Sequence, residues 1–218
     1  MIDAVSLAVM RGRLEQLVDE MDATLFRAAF SPVIAEARDG SHGIYDAVTG
    51  DTIAMGKAGL PVFIGAMSHA ARAAIKRAEA DGGFNDGDVI LLNDPYAAAT
   101  HLNDFKLIKP VFRDGKPFCL LGSAGHWIDV GGNVPGNYNP IATDIMQEGM
   151  RIPAVKLFDR GRIRQDVVDI LLANSRMANS CYGDLNAQLG ALDLGERRMI
   201  ELLDEYGDNE IGEAITEI

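Results

Sequence analysis

The sequence predicts an α+β fold, a mixed or antiparallel sheet built from hairpins and packed against amphipathic helices. Three observations predict it. Apolar residues recur at helical spacing near the N-terminus, an Asp114-Gly115 pair separates two apolar runs, and a second long helical stripe lies towards the C-terminus.

From Asp3 to Ala29, the residues Leu14, Leu17, Val18, Met21, Leu25 and Phe26 recur every three or four positions, the stripe of an amphipathic helix. Ser31-Pro32 ends it, because the residue before a proline is pushed out of helical geometry. Ser41 to Ala54 carries Ile44, Tyr45, Val48, Thr52 and Ile53 around Thr49-Gly50-Asp51 and reads as a β-hairpin. Gly59-Leu60-Pro61 breaks the chain before a helix from Ile64 to Ala80, which Gly82-Gly83 stops. Asp88 to Asn93 is a short apolar run with the character of a buried strand, closed by Asp94-Pro95. Phe105 to Phe112 and Pro117 to Leu121 then flank Asp114-Gly115, the strongest short-range hairpin signal in the chain, although Pro110 and Pro117 each remove a ladder donor. A glycine- and asparagine-rich loop, Gly131 to Pro140, leads to an extended Arg151 to Lys156. Helices follow at Gln165 to Asn174 and from Tyr182 or Asp184 to Tyr206, with the start of another from Asn209 to Ile218. No repeat or low-complexity linker marks a boundary, so residues 1–218 read as a single domain.

Composition narrows the functional classes. The 20 Lys and Arg against 32 Asp and Glu give a formal charge of −12, which repels a phosphate backbone, and nucleic acid is not expected as a partner. Cys119 and Cys181 are too few and too far apart for a disulfide framework or a zinc-ligand spacing, as expected of reduced thiols in a cytoplasmic protein. Neither an export signal nor a run long enough to cross a membrane is evident. No phosphate-cradling glycine loop is present, so no cofactor-binding residues for a nucleotide are assigned.

Only four histidines exist, and His101 and His126 sit at the two open ends of the expected hairpin. If Asp114-Gly115 form the turn, paired positions sum to 229, so His126 faces Asn103 and lies beside Asp104, with His101 on the same face. In that register Asp104 points to the other face, so it has to leave the strand, in a loop from Ala97 to Asp104 that enters the strand at Phe105. Two imidazoles and a carboxylate suit zinc, manganese or iron with coordination positions left open, and His101, Asp104 and His126 are therefore the candidate catalytic residues. A histidine beside a carboxylate is also an ordinary hydrogen-bonded pair, so spacing alone leaves both readings open. Gly122, Gly125, Gly131, Gly132 and Gly136 around the histidines favour close backbone approach to a ligand. Asp39 is either a fourth ligand or a turn residue. His69 reads as structural or surface, Trp127 as packing beside the site, and Asp129 as either orienting an imidazole or solvated.

At Asn93-Asp-Pro-Tyr96, Thr100-His-Leu-Asn-Asp104, Gly125-His-Trp-Ile-Asp-Val-Gly-Gly132 and Pro135-Gly136 the sequence resembles the hydantoinase B/oxoprolinase family. The likeness continues through Arg38-Asp39-Gly-Ser-His-Gly-Ile-Tyr-Asp46, Gln147-Glu-Gly-Met-Arg-Ile-Pro153, Asn174-Ser-Arg176 and Gly183-Asp-Leu-Asn-Ala-Gln188, nearly the whole chain. The resemblance implies that His101, Asp104 and His126 fall on metal ligands, with Asp39 as a fourth, and that the metal is zinc or manganese. It further implies a separate hydantoinase A-like subunit that binds ATP, and a small-molecule cyclic amide or ketone as substrate. The reaction is then ATP-dependent hydrolysis of a hydantoin, oxoproline or lactam, or alternatively carboxylation of an acetone- or acetophenone-type ketone. The family's B-type subunits are much longer than this chain, so the resemblance implies that it corresponds to their N-terminal portion, whether as a fragment, a split subunit or a separate domain, with a C-terminal part as a further expected partner. Ala97-Ala98-Ala99 stands where relatives show glycines. A reading of another class is a non-catalytic assembly module that holds no metal.

Overall fold

A computed structural model describes residues 2–98 and 100–218, Ala98 by its backbone alone. Its first helix, α1 (Ala4–Ala28), begins where the Asp3 carboxylate accepts the Val5 and Ser6 backbone N–H groups, a side-chain cap for donors that have no helical partner. Its buried stripe of Met10, Leu14, Leu17, Val18, Met21 and Leu25 matches the periodicity of the sequence. Each such side chain is worth roughly 1.5–3 kcal/mol of transfer free energy. Ser31-Pro32 does end α1, and Pro32 then opens a single extra turn, α2 (Pro32–Ala35), in the position where its missing N–H costs nothing.

Strands β1 (Gly40–Asp46) and β2 (Thr52–Met55) form the expected hairpin, and α3 (Val62–Ala80) follows. After β3 (Val89–Leu92) and a short helical turn, α4 (Pro95–Ala98), the long hairpin of β4 (Asp104–Arg113) and β5 (Lys116–His126) turns at Asp114 and Gly115, both with positive φ. Only the end of the expected extended segment is a strand, β6 (Val155–Asp159). It pairs through an unanticipated turn at Arg160 and Gly161 with β7 (Arg162–Ile163). Three helices complete the chain, α5 (Gln165–Ala173), α6 (Ala178–Tyr206) and α7 (Asp208–Glu217), with α6 starting earlier than its apolar stripe suggested.

Among the described residues the seven strands form one sheet in the order β2-β1-β5-β4-β3-β6-β7, antiparallel at every pairing. Both faces are covered. Ile44, Leu91, Phe105, Leu107 and Leu121 pack towards α1 and α6, while Tyr45, Ile90, Leu92, Ile108 and Leu120 pack with Phe63, Met67 and the alanines of α3. No helix of the described residues is long and apolar enough to cross a membrane.

The β4–β5 register corrects one expectation. Arg113 pairs with Lys116 and Phe112 with Pro117, but Val111 pairs with Cys119, so Phe118 is an extra residue, a β-bulge. Every pair beyond it sums to 230 instead of 229, and Asp104 lies directly opposite His126. Asp104 is thus the first residue of the strand and points with His126; it has no need of a loop to reach the histidine. The segment before it is a helical turn followed by a tight turn at Leu102 and Asn103. Of the three alanines noted in this segment, Ala99 lies outside the described residues.

Candidate metal centre

Three structural devices bring the polar groups together at the open end of the β4–β5 hairpin. The first is the direct pairing of Asp104 with His126. The second is the turn from His101 to Asp104, closed by the Asp104 N–H donating to the His101 carbonyl at 3.2 Å, which folds the His101 ring back over the strand end. The third lies across β5, where Arg38 adopts a left-handed φ of 55° and the Asp39 carbonyl accepts the His126 N–H at 3.0 Å, bringing the Asp39 carboxylate alongside.

Asp104 Oδ1 lies 3.2 Å from His101 Nε2 and 3.4 Å from His126 Nδ1, and Asp39 Oδ2 lies 3.5 Å from His126 Nδ1. The ligand atoms of His101, Asp104 and His126 all fall within 4.8 Å of one another, and the two rings are tilted at 48° with centroids 4.9 Å apart. Asp39 stands outside that mutual group, on the His126 side. Asp104 is buried, His126 is nearly so, and the His101 side chain is 51% exposed, so the cluster opens outwards past His101.

These separations bear on the two readings that spacing left open. The His42–Asp22 pair under α1 shows what a buried imidazole–carboxylate hydrogen bond looks like here, 2.8 Å from Nδ1 to Oδ1. In the hairpin cluster the distances are longer, and the two facing atoms Asp104 Oδ1 and His126 Nδ1 are both buried without a hydrogen-bond partner, whereas in the His42–Asp22 pair it is the outer atoms, His42 Nε2 and Asp22 Oδ2, that lack one. Two atoms bound at roughly 2.1 Å to one tetrahedral ion stand about 3.4 Å apart. Buried polar atoms without partners are costly unless something satisfies them. Donor chemistry, spacing and the unpartnered atoms all fit a divalent cation.

Electrostatics favour the ionised form of Asp104 and the protonated forms of His101 and Asp39. Burial alone would raise the Asp104 pKa, but the facing His101 and His126 rings and the Lys106 ammonium outweigh it and hold the carboxyl well below the usual carboxylate range. His101 is pushed up by its contact with Asp104, against the opposing effect of burial. Asp39 is raised by burial and by the Asp104 charge, while the two histidines pull the other way.

A shell of amides fixes the backbone. The Asn103 side chain donates to the Trp127 carbonyl at 2.8 Å, while the Asn103 carbonyl accepts the Trp127 N–H at 2.8 Å, so the residue after His126 is tied to the residue before Asp104. Asn93 donates to the Leu102 carbonyl at 2.6 Å and to that of Met150 at 2.9 Å. Sequence reading passed over these side chains, because asparagines at strand ends look like turn residues. It also passed over Lys106, fully buried two residues beyond Asp104, whose pKa burial lowers to about 8 against the opposing Asp104 charge.

The remaining candidates have other contacts. Trp127 packs on the α6 side of the sheet, stacked on Phe105 at 4.0 Å with its indole N–H on Gln188. Asp129 neither orients an imidazole nor faces solvent. It accepts the Gly131 and Gly136 N–H groups and the N–H and guanidinium of Arg176, and so ties the glycine-rich loop to the start of α6. Within that loop Gly132 has a φ of 75°, and an added Cβ would lie 2.6 Å from the Gln147 carbonyl, so only glycine fits. His69 is exposed on α3.

The family model for hydantoinase B/oxoprolinase matches residues 3–218. The chain belongs to this family. Across its full length it is 40% identical to the beta subunit of the Pseudomonas jessenii caprolactamase, covering 37% of that protein. The crystal structure of that organism's ATP-dependent caprolactamase superposes with a TM-score of 0.89, again over all of this chain and 37% of the other. The B-type subunit of a putative D-/L-hydantoinase from Pseudomonas sp. (strain NS671) is 31% identical over the full chain and 37% of its own length. The nucleotide-free structure of an acetone carboxylase shares the fold, with a TM-score of 0.90 at 20% identity over 98% of this chain and 28% of that one. The chain thus spans little more than a third of these caprolactamase and hydantoinase relatives.

Proposed function

We propose that this chain carries the metal-binding site of a B-type subunit in an ATP-dependent cyclic-amide hydrolase, with a hydantoin, oxoproline or lactam as substrate. The observation that carries the proposal is the convergence of His101, Asp104 and His126 around two buried atoms that lack partners, in a chain 40% identical to one subunit of a caprolactamase. His101, Asp104 and His126 would hold a zinc or manganese ion, with Asp39 as a fourth ligand. Bound there, a divalent cation would supply Lewis-acid polarisation of the amide carbonyl and a place for water beside it. The chain's own residues do the rest. Asp104 stays ionised, the Asn103 bonds hold the two ligand segments in register, and exposed His101 leaves a route for substrate. ATP would be used by a separate hydantoinase A-like subunit, a reading supported by the similarity to the beta subunit of an ATP-dependent caprolactamase.

Ketone carboxylation is the alternative. The sequence likeness to caprolactamase favours hydrolysis, because the resemblance to acetone carboxylase extends to the fold alone. The decisive assay combines the protein with its ATP-binding partner and follows phosphate release. ATP turnover that depends on a cyclic amide and is indifferent to bicarbonate supports the proposal. Turnover requiring both a ketone and bicarbonate overturns it in favour of the carboxylase.

A further inference from the structure

The turn that carries His101 and Asp104 sits inside a closed circuit of three buried asparagine side chains, Asn93, Asn103 and Asn137. Asn93 donates to the Leu102 and Met150 carbonyls, and its Oδ1 accepts the Ile152 N–H at 2.6 Å. Asn103 ties the turn to Trp127. Asn137, in the glycine-rich loop, closes the circuit. Its Oδ1 accepts the Val130 N–H at 2.9 Å and the Asn103 side-chain amide at 3.3 Å, and its Nδ2 donates to the Gly131 carbonyl at 2.7 Å and the Glu148 carbonyl at 2.6 Å. All four hydrogen-bonding positions of the amide are filled. Asn137 also holds a left-handed φ of 65°, unfavourable for a residue with a Cβ. A glycine would serve that backbone better, so the side chain is what the position requires.

The direction of these bonds decides what Asn137 does. Three of its partners are backbone groups, one N–H and two carbonyls, so its amide can face only one way. That orientation presents an oxygen to Asn103, which must in turn point its NH2 group at both Asn137 and the Trp127 carbonyl. A flipped Asn103 would set its own oxygen against two others. Asn103 directly precedes Asp104 and Trp127 directly follows His126, so the orientation imposed by Asn137 reaches the backbone of both facing ligands. At its other end Asn137 holds Glu148, just before the Met150 that Asn93 grips, and the turn is braced from both sides.

We infer that Asn137 is a positioning residue for the metal ligands, acting through Asn103 to set the spacing of Asp104 and His126. The inference rests on the metal-site reading above and extends it to a loop residue outside the ligand group. Asn137 acts on the metal only by holding the ligand segments in place, so its loss should change affinity and ligand geometry while leaving every ligand atom present.

The test measures manganese affinity by electron paramagnetic resonance of the free ion, and ligand geometry by the visible absorption of bound cobalt(II). Asn137→Gly, which suits the left-handed backbone, and Asn137→Ser, whose side chain is too short to reach Asn103, should each weaken manganese roughly 10-fold and shift the cobalt(II) bands. Asn103→Ala should do the same, and Asn103→Ala combined with Asn137→Gly should be no weaker than Asn103→Ala alone, as two residues on one path require. Asp129→Asn loosens the same loop through Gly131 and Gly136 without removing a bond of Asn137, and should leave manganese affinity within about twofold. Unchanged affinity in both Asn137 variants, multiplied losses in the double variant, or a loss in Asp129→Asn equal to that in Asn137→Gly overturns the inference while leaving the metal site standing. Failure of the wild type to bind either manganese or cobalt overturns the metal-site reading and the inference with it.

Discussion

Asp104 and His126 are directly opposed residues at the open end of the β4–β5 hairpin, with Oδ1 and Nδ1 3.4 Å apart and neither atom hydrogen-bonded. A single bulge at Phe118 brings them onto one face, and the properties of the site follow from that opposition.

The two histidines outside and inside this arrangement should respond oppositely to mutation. His42 is fully buried against Asp22, so His42→Ala strands a carboxylate beneath α1 and should cost about 3–5 kcal/mol in denaturant unfolding with no change in metal content. The half-exposed His101 makes no core contact of that kind. His101→Ala should leave stability within about 0.5 kcal/mol while sharply weakening metal retention in dialysis.

Metal affinity should depend on pH with a definite sign. Contact with Asp104 raises the His101 pKa above its ordinary 6.5, so a proton competes for Nε2 at higher pH than it would at an isolated histidine. Affinity should therefore climb as pH rises through and somewhat above 6.5, with proton release on binding measurable by calorimetry in buffers of different ionisation enthalpy. In Asp104→Asn the climb should shift to lower pH and the affinity should fall overall.

The Asp129–Arg176 tie should govern the order of the glycine-rich loop. Burial would raise Asp129, but the Gly136, Arg176 and Gly131 N–H groups and the Arg176 guanidinium outweigh it and hold its pKa below the ordinary 3.8. Such a carboxylate stabilises the fold above about pH 4 and loses that contribution as pH falls through its lowered folded value. Hydrogen exchange at Gly131 and Gly136 should accelerate in that acidic window, and Asp129→Asn should produce the same acceleration at neutral pH with a stability loss of about 2 kcal/mol.

Asp39 lies beside the three-residue group without belonging to it. Asp39→Ala, which removes the proposed fourth ligand, should weaken metal binding by at least roughly 10-fold and leave a measurable stoichiometry on the remaining three.

Much of this was legible in the sequence because it rests on local periodicity. The α1 stripe, the Asp114-Gly115 turn and the β1–β2 hairpin all appear where the residues place them. What was not legible depends on tertiary geometry. Nothing in Pro117-Phe118-Cys119 announces a bulge, and one extra residue there decides whether Asp104 faces His126 or turns away. The β6–β7 turn at Arg160-Gly161 lacks long alternating flanks, and α6 begins among polar residues before its apolar stripe. Lys106 hid inside an apolar run, where a lysine looks like the exposed side of a strand, yet both faces of this sheet are covered. Asp129 stood close enough to His126 to suggest an orienting partner, and its bonds run to the loop and α6 instead.

The most direct test of the central claim is elemental analysis of the purified protein beside His126→Ala, with zinc and manganese both quantified. The account predicts about one equivalent of divalent metal in the wild type and near-complete loss in a variant that remains folded by circular dichroism. Metal content unchanged by the substitution, or no metal in wild-type protein after incubation with either ion, would contradict it and leave the chain as an assembly module.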